Sequence, residues 1–140
     1  MHRFCVGLII AAALAVAALS VPARSLGADR QVAYTGGQLA MGQATFTQYC
    51  AGCHLATLAG NPSSTPPRPP LAGPRFAAKW QGKTAADLFA FASKNMPYGR
   101  GGSLEHDQYL AIVAYILQKN GVDSDGALLD DKRLPTIQLP

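Results

Sequence analysis

A chain of 140 residues is enough for one domain, and a formal charge of +4 spread over scattered basic residues forms no run and no basic helical face. That balance excludes nucleic acid as a natural partner. It also predicts association with other proteins that is steered little by long-range charge.

The first segment in chain order is a positive start at Arg3 followed by "FCVGLIIAAALAVAAL" (4–19), an apolar run without a charge. Small residues follow at "VPA" (21–23), and the whole reads as a secretory signal peptide. Sixteen apolar residues fall short of the roughly 20 that span a bilayer, so no stable membrane insertion is expected after cleavage. Cleavage is expected after Ala23, with Ala28 the alternative. The charge then falls to +3 as Arg3 leaves, or to +2 if Arg24 leaves too. Cys5 departs with the signal, and the mature chain keeps Cys50 and Cys53 as its cysteines.

Residues 24–37 read as a loose lead-in. "QLAMGQATFTQY" (38–49) predicts a short helix with Leu39, Gly42 and Phe46 along one side, and it runs directly into Cys50. "GNPSSTPPRPPLAGP" (60–74) is too rich in proline for helix or inner strand and reads as a long extended loop. "KTAADLFAFASKN" (83–95) predicts a second helix, N-capped by Thr84 with Asp87 in the capping-box position, its apolar side formed by Leu88, Phe91 and Ala92. Pro97 stops it. The last helix is expected to be capped by Ser103 and to run to Asn120, with Gly121 at the C′ position. Tyr109, Ile112, Val113, Ile116 and Leu117 recur along it at three- and four-residue steps, which predicts one buried face. Residues 122–140 lose the pattern and read as a tail. No stretch alternates like a β-strand, so the chain is all-α with long loops. Helices this short are unstable alone, and something large and apolar at the centre would stabilise the set.

"CAGCH" (50–54) says what that centre is. Two thiols three residues apart can each add to a vinyl group of one porphyrin, and the adjacent His54 then lies over the iron. Ala51 and Gly52 let the backbone pass close to the ring. A redox dithiol of the thioredoxin type would need a βαβ context, and the motif here follows a helix. A zinc site needs four ligands, while only His54 and His106 accompany the thiols, at no pairing spacing. A disulfide across so short a loop would constrain little.

From 38 to 121 the chain resembles the class I monohaem cytochromes c of exported bacterial type, on "GQATFTQYCAGCH", "PPLAGP" and "KNMPYG". The resemblance implies a small all-α fold of three to five short helices and long loops wrapped around one covalent haem c. It implies that Gly42 and Phe46 pack on the last helix, that the Pro69 carbonyl accepts a hydrogen bond from His54, and that Leu71 packs on the haem. Met96 matches the family's distal iron ligand, which makes His54 and Met96 the metal pair. Met41 reads instead as packing on the aliphatic side of its helix, and His106 as a solvated surface histidine. Trp80 reads as a packed aromatic or as a donor to a haem propionate, with Arg75 and Lys79 as further propionate partners. Tyr98 and Tyr115 read as core or haem-edge packing.

An iron with both axial positions filled by protein has no site for bond-making, so the expectation is a periplasmic one-electron carrier and not an enzyme. Its partners would be redox proteins, a dehydrogenase as donor and an oxidase or another cytochrome as acceptor, with no small-molecule substrate. "WQGKTAADLFAFASKNMPYGRGGSLEHDQYLAIVAYILQKNG" (80–121) resembles cytochromes that accompany quinoprotein dehydrogenases. Two alternatives use the same haem: a ligand-binding or sensor protein with a displaceable Met96, and a fixed cytochrome subunit of a quinoprotein dehydrogenase complex, docked through the tail and the proline-rich loop.

Overall fold

The computed structural model of the chain describes residues 34–140, so the signal peptide expected at 1–23 lies outside the described residues. Five helices follow in order: α1 (Gly36–Tyr49), α2 (Ala51–His54), α3 (Pro74–Trp80), α4 (Ala85–Asn95) and α5 (His106–Lys119), with a 3-10 turn at Leu134–Thr136. Among the described residues there is no strand, only isolated bridges at Asn61–Arg68 and Thr84–Gln138. The fold is all-α.

Local chemistry explains the helix starts. Thr35 caps α1, its hydroxyl accepting from Gln38 N–H at 3.1 Å while the Gln38 side chain reaches back to Thr35 N–H. Thr84 and Asp87 make the same reciprocal box at the start of α4, and the cap hydrogen bonds hold the Asp87 carboxyl below the usual carboxylate range. The cap expected at Ser103 is not formed. α5 begins at His106 with Glu105 as N-cap, because Gln108 Oε1 accepts from Glu105 N–H at 2.9 Å. Gly121, at φ +83°, takes the left-handed position just past the helix end. α3 answers to no predicted helix. It is seven residues long and opens with Pro74 at its first position, after Gly73 at φ +82°.

The core is built around α5. One buried face was expected, yet every residue from Tyr109 to Leu117 is buried. A helix apolar all round is a central helix, covered from several sides. α1 covers one side, crossing at Gly42, where a Cβ would sit 1.9 Å from the Ala111 carbonyl oxygen. Phe46 then packs on Tyr115 with ring centroids 5.4 Å apart.

α4 covers another side, and residues 122–140 are packed into the same core and are not a tail beyond the domain. Val122, Leu129, Leu134, Ile137 and Leu139 are buried in the common core. The segment is stitched down by backbone bonds, Ala85 N–H to Ile137 O at 2.8 Å and Leu139 N–H to Lys83 O at 2.9 Å. Gln38 donates to Leu129 O and accepts from Leu129 N–H, both at 2.8 Å. Tyr34, expected in the loose lead-in, is 1% exposed and donates to Val122 O at 2.6 Å. Apolar spacing in this stretch follows its turns and not a helical period, which is why it carries no periodic signal.

The α1–α5 crossing gives the first prediction. Gly42→Ala forces a methyl group into the Ala111 carbonyl, and overpacking of this kind costs about 1–3 kcal/mol or more. Denaturant unfolding of the variant should show a lower midpoint at unchanged slope.

Candidate functional site

The cysteine motif is where α1 hands over to a single further turn. Cys50 closes α1 through its N–H to Phe46 O at 2.8 Å, and the Cys50 carbonyl then accepts from Cys53 N–H at 3.1 Å and His54 N–H at 2.9 Å. Helical spacing of three residues puts the two side chains on one face. Both thiols are free. Burial, with the neighbouring Cys53 second, pushes the Cys50 thiol up to about 11.

His54 is 7% exposed, with Nδ1 2.9 Å from the Pro69 carbonyl oxygen. A carbonyl can only accept, so Nδ1 carries the proton and donates it, leaving the Nε2 lone pair free. Burial is the main reason the imidazole pKa is held below its ordinary value, with the charges of Arg68 and Lys79 adding to it and the Pro69 bond opposing. The ring is therefore neutral near neutral pH and oriented, the state a metal requires of it.

The loop that supplies the Pro69 carbonyl is folded tightly enough to hold it still. Asn61 and Arg68 exchange two backbone bonds of 2.9 Å, and Gly60 N–H and Leu71 N–H bond to His54 O and Leu58 O. Gly60 sits at φ +72°, and a Cβ there would lie 2.5 Å from Arg68 O, so the loop can close only on glycine. Asn120, at the end of α5, ties the far side down. Its amide donates to Leu71 O at 2.9 Å and Ile116 O at 2.8 Å, and its carbonyl accepts from Gly73 N–H at 3.1 Å.

These elements wall a cleft enclosing about 1240 Å³ of empty space, part of it open to solvent. Cys50, Cys53, His54, Pro69 and Leu71 line one part of it, and Trp80, Phe91, Met96 and Ile112 line others. Met96 stands at the C-cap of α4. Trp80 is 7% exposed and packs between Phe76 at 6.0 Å and Phe91 at 5.8 Å. The exposure of Phe91, predicted on the buried side of its helix, follows from its place on the cleft wall.

The remaining sequence candidates separate cleanly. Met41, expected to pack, is 46% exposed on α1. His106 is exposed, 3.2 Å from Asp131, and stacks edge-on with Phe89. Lys79 lines the cleft and Arg75 does not. Tyr115 is buried against Phe46, while Tyr98 lines the cleft with Arg68 lying 5.0 Å over its ring. Sequence reasoning missed Arg68, Arg100 and Asn120. Arg68 directly precedes Pro69 and Arg100 closely follows Met96, and that adjacency was the available signal. Asn120 had none, because its contacts are 47 and 49 residues away in the chain.

Two free thiols on one face, a neutral imidazole with one nitrogen available, a thioether and apolar walls are a donor set that fits a haem. They do not fit a hard-cation or zinc site, and among the described residues no group of three or more His, Cys, Asp or Glu could hold a metal ion.

Fold and site together define a class I monohaem cytochrome c. Residues 37–116 match the family model described as cytochrome c oxidase, cbb3-type, subunit III, over more than half of the chain, and the chain belongs to that family. The structure is similar to a chain of the sulfane dehydrogenase SoxCD from Paracoccus pantotrophus, at 25% identity and a TM-score of 0.55. That match covers 79% of this chain and 61% of the other, so this chain spans less than two thirds of its structural relative. No curated protein sequence matches it.

The Asn120 tie is directly testable. Asn120→Ala leaves the Leu71 carbonyl and the Gly73 amide without this partner, and stability should fall by about 1–3 kcal/mol. Thermal unfolding of the haem-loaded protein measures it.

Proposed function

We propose that this chain is an exported, periplasmic one-electron carrier whose single haem c is attached through Cys50 and Cys53 and ligated by His54 and Met96. The observation that carries the reading is the His54–Pro69 bond of 2.9 Å beside two free thiols, on the wall of an apolar cleft that Met96 also lines. Haem, when bound, supplies reversible uptake of one electron at its iron.

The chain's residues do the rest. Pro69 holds the His54 Nδ1 proton, which aims Nε2 and raises its donor strength. Met96 offers a soft, weak donor, which favours the reduced state. Leu71, Trp80 and Phe91 give the cleft apolar walls, which would lower the local dielectric around a bound haem. If His54 and Met96 both hold the group, no position would be left for a substrate, and the role is that of a carrier and not an enzyme. The apolar run at 4–19 supports export. No helix among the described residues is long and apolar enough to cross a membrane.

Partners are redox proteins, with a dehydrogenase as donor and an oxidase or another cytochrome as acceptor. The similarity to a dehydrogenase chain and the oxidase-subunit family support that class. The charge distribution says more than the net charge did. Between 61 and 104 there are six basic residues and one acid, Asp87, while from 105 to the end there are six acids and three bases. Arg68, Lys79 and Arg100 line the cleft and no carboxylate does, while a shallow neighbouring pocket is lined by Lys79 and Lys83 together with Asp87. Beside the weak steering expected from net charge, these cations on the cleft wall suit an acidic partner surface at close range.

Two measurements test this. Reduced and oxidised absorption spectra should both be low-spin, the oxidised one with the weak red band of a methionine–iron bond, and carbon monoxide should leave the reduced spectrum unchanged. Rapid carbon monoxide binding would move the reading to a sensor. Electron exchange with hexacyanoferrate should slow several-fold from low salt to about 0.5 M, where charges are screened within a few ångströms, while a cationic oxidant should speed up. Equal salt responses for the two reagents would remove the acidic partner.

A further inference from the structure

The segment from Met96 to Gly102 is short, turn-rich and carries the thioether on which the proposed function rests. Its backbone is held at both ends by a single side chain from another helix. Tyr109, 3% exposed on the first turns of α5, donates its hydroxyl to the Met96 carbonyl at 2.6 Å. The Tyr109 hydroxyl oxygen in turn accepts from Gly102 N–H at 3.1 Å. Met96 N–H is already committed to Ala92 O at 2.9 Å, so both polar backbone groups of Met96 are fixed, one by α4 and one by α5. Between the two ends the turn is closed by Arg100 N–H to Pro97 O at 2.7 Å and Ser103 N–H to Arg100 O at 3.2 Å. Gly101 is pressed so closely on α4 that a Cβ would lie 2.0 Å from Lys94 O.

We infer that Tyr109 is a positioning residue for the Met96 thioether: its hydroxyl closes the 96–102 turn at both ends and so governs how readily Met96 is displaced from iron. The inference rests on the reading of Met96 as a ligand. A methionine side chain is flexible, and its sulfur is a weak donor, so ligation gains most when the Cα that carries it is already in place. With its backbone pinned by α4 and α5, Met96 has only its own side-chain torsions left to order. Without the hydroxyl, the Met96 carbonyl and the Gly102 amide lose a shared partner and the turn can open. Competing ligands then meet less resistance.

Imidazole binding to the oxidised, haem-loaded full chain is the test. The wild type should carry the red methionine–iron band and bind imidazole weakly. Tyr109→Phe should raise imidazole affinity about tenfold, the equilibrium value of one lost buried hydrogen bond of about 1.4 kcal/mol. Tyr115→Phe, on the α1 side of the same helix, should leave the affinity alone. Placing 4-aminophenylalanine at 109, which keeps a donor, should restore much of the wild-type resistance. A wild type without the band overturns ligation by Met96 and this inference together. A wild type with the band, whose Tyr109→Phe variant melts earlier but binds imidazole as before, overturns the inference alone and leaves Tyr109 a core residue. Amide exchange in the unmodified protein covers the case of a variant that does not fold. Gly102 should exchange as slowly as the amides of α5, and fast exchange there overturns the clamp.

Discussion

Because Gly42 has no side chain, α1 lies with its backbone against the Ala111 carbonyl of α5, and this contact sets where everything around the cleft can stand. α1 ends in Cys50, so the register of the crossing fixes the start of the cysteine turn and the position of His54. α5 holds the other components. Tyr109 near its start holds the Met96 turn, and Asn120 at its end holds the loop beside Pro69. Eleven residues of helix separate them, about 16 Å along a rod that does not stretch. The two loops that face the cleft are thus spaced by one helix, and the cysteine turn is placed against both by a single crossing.

Much of this was legible because the signals are local. The capping box at Thr84 and Asp87 and the cysteine–histidine spacing depend on residues within a few positions of each other, and so does the proline stop after Met96. Each acts through short-range backbone chemistry that tertiary structure did not override. The Pro69 carbonyl was reached through family resemblance, because nothing in a proline-rich run distinguishes one carbonyl from its neighbours. What distinguishes it is the fold of the loop, closed by Gly60 against Arg68 and bonded to Leu58 and Asn120.

The unreadable parts are those whose apolar residues serve irregular packing. Val122, Leu129, Leu134, Ile137 and Leu139 are spaced at intervals that match neither helix nor strand, yet all five are buried. Their register comes from hydrogen bonds to Tyr34, Gln38, Lys83 and Ala85, up to 91 residues distant. α5 was misjudged for a related reason. A periodic stripe was visible, but Ala111 and Ala114 on its other sides are buried too, on a helix that both α1 and α4 pack against. Full burial of a helix depends on what surrounds it, and the surroundings lie elsewhere in the chain.

A helix packed on every side bears on the choice between carrier and sensor. Interiors at crystal-like density resist continuous deformation, so loops hung on such a helix move only if their bonds to it break. The Met96 carbonyl and the Gly102 amide both end on one α5 hydroxyl, and the Pro69 side is held by the Asn120 amide at the other end. A sensor needs one of these loops to swing away when a ligand arrives, with a second arrangement of comparable free energy to receive it. Here a swing of the 96–102 turn would leave the Met96 carbonyl and the Gly102 amide without their α5 partner, and it would have to lift Gly101 from α4. A carrier needs the opposite, a site whose geometry is the same before and after the electron arrives. The arrangement of bonds around α5 favours that second requirement.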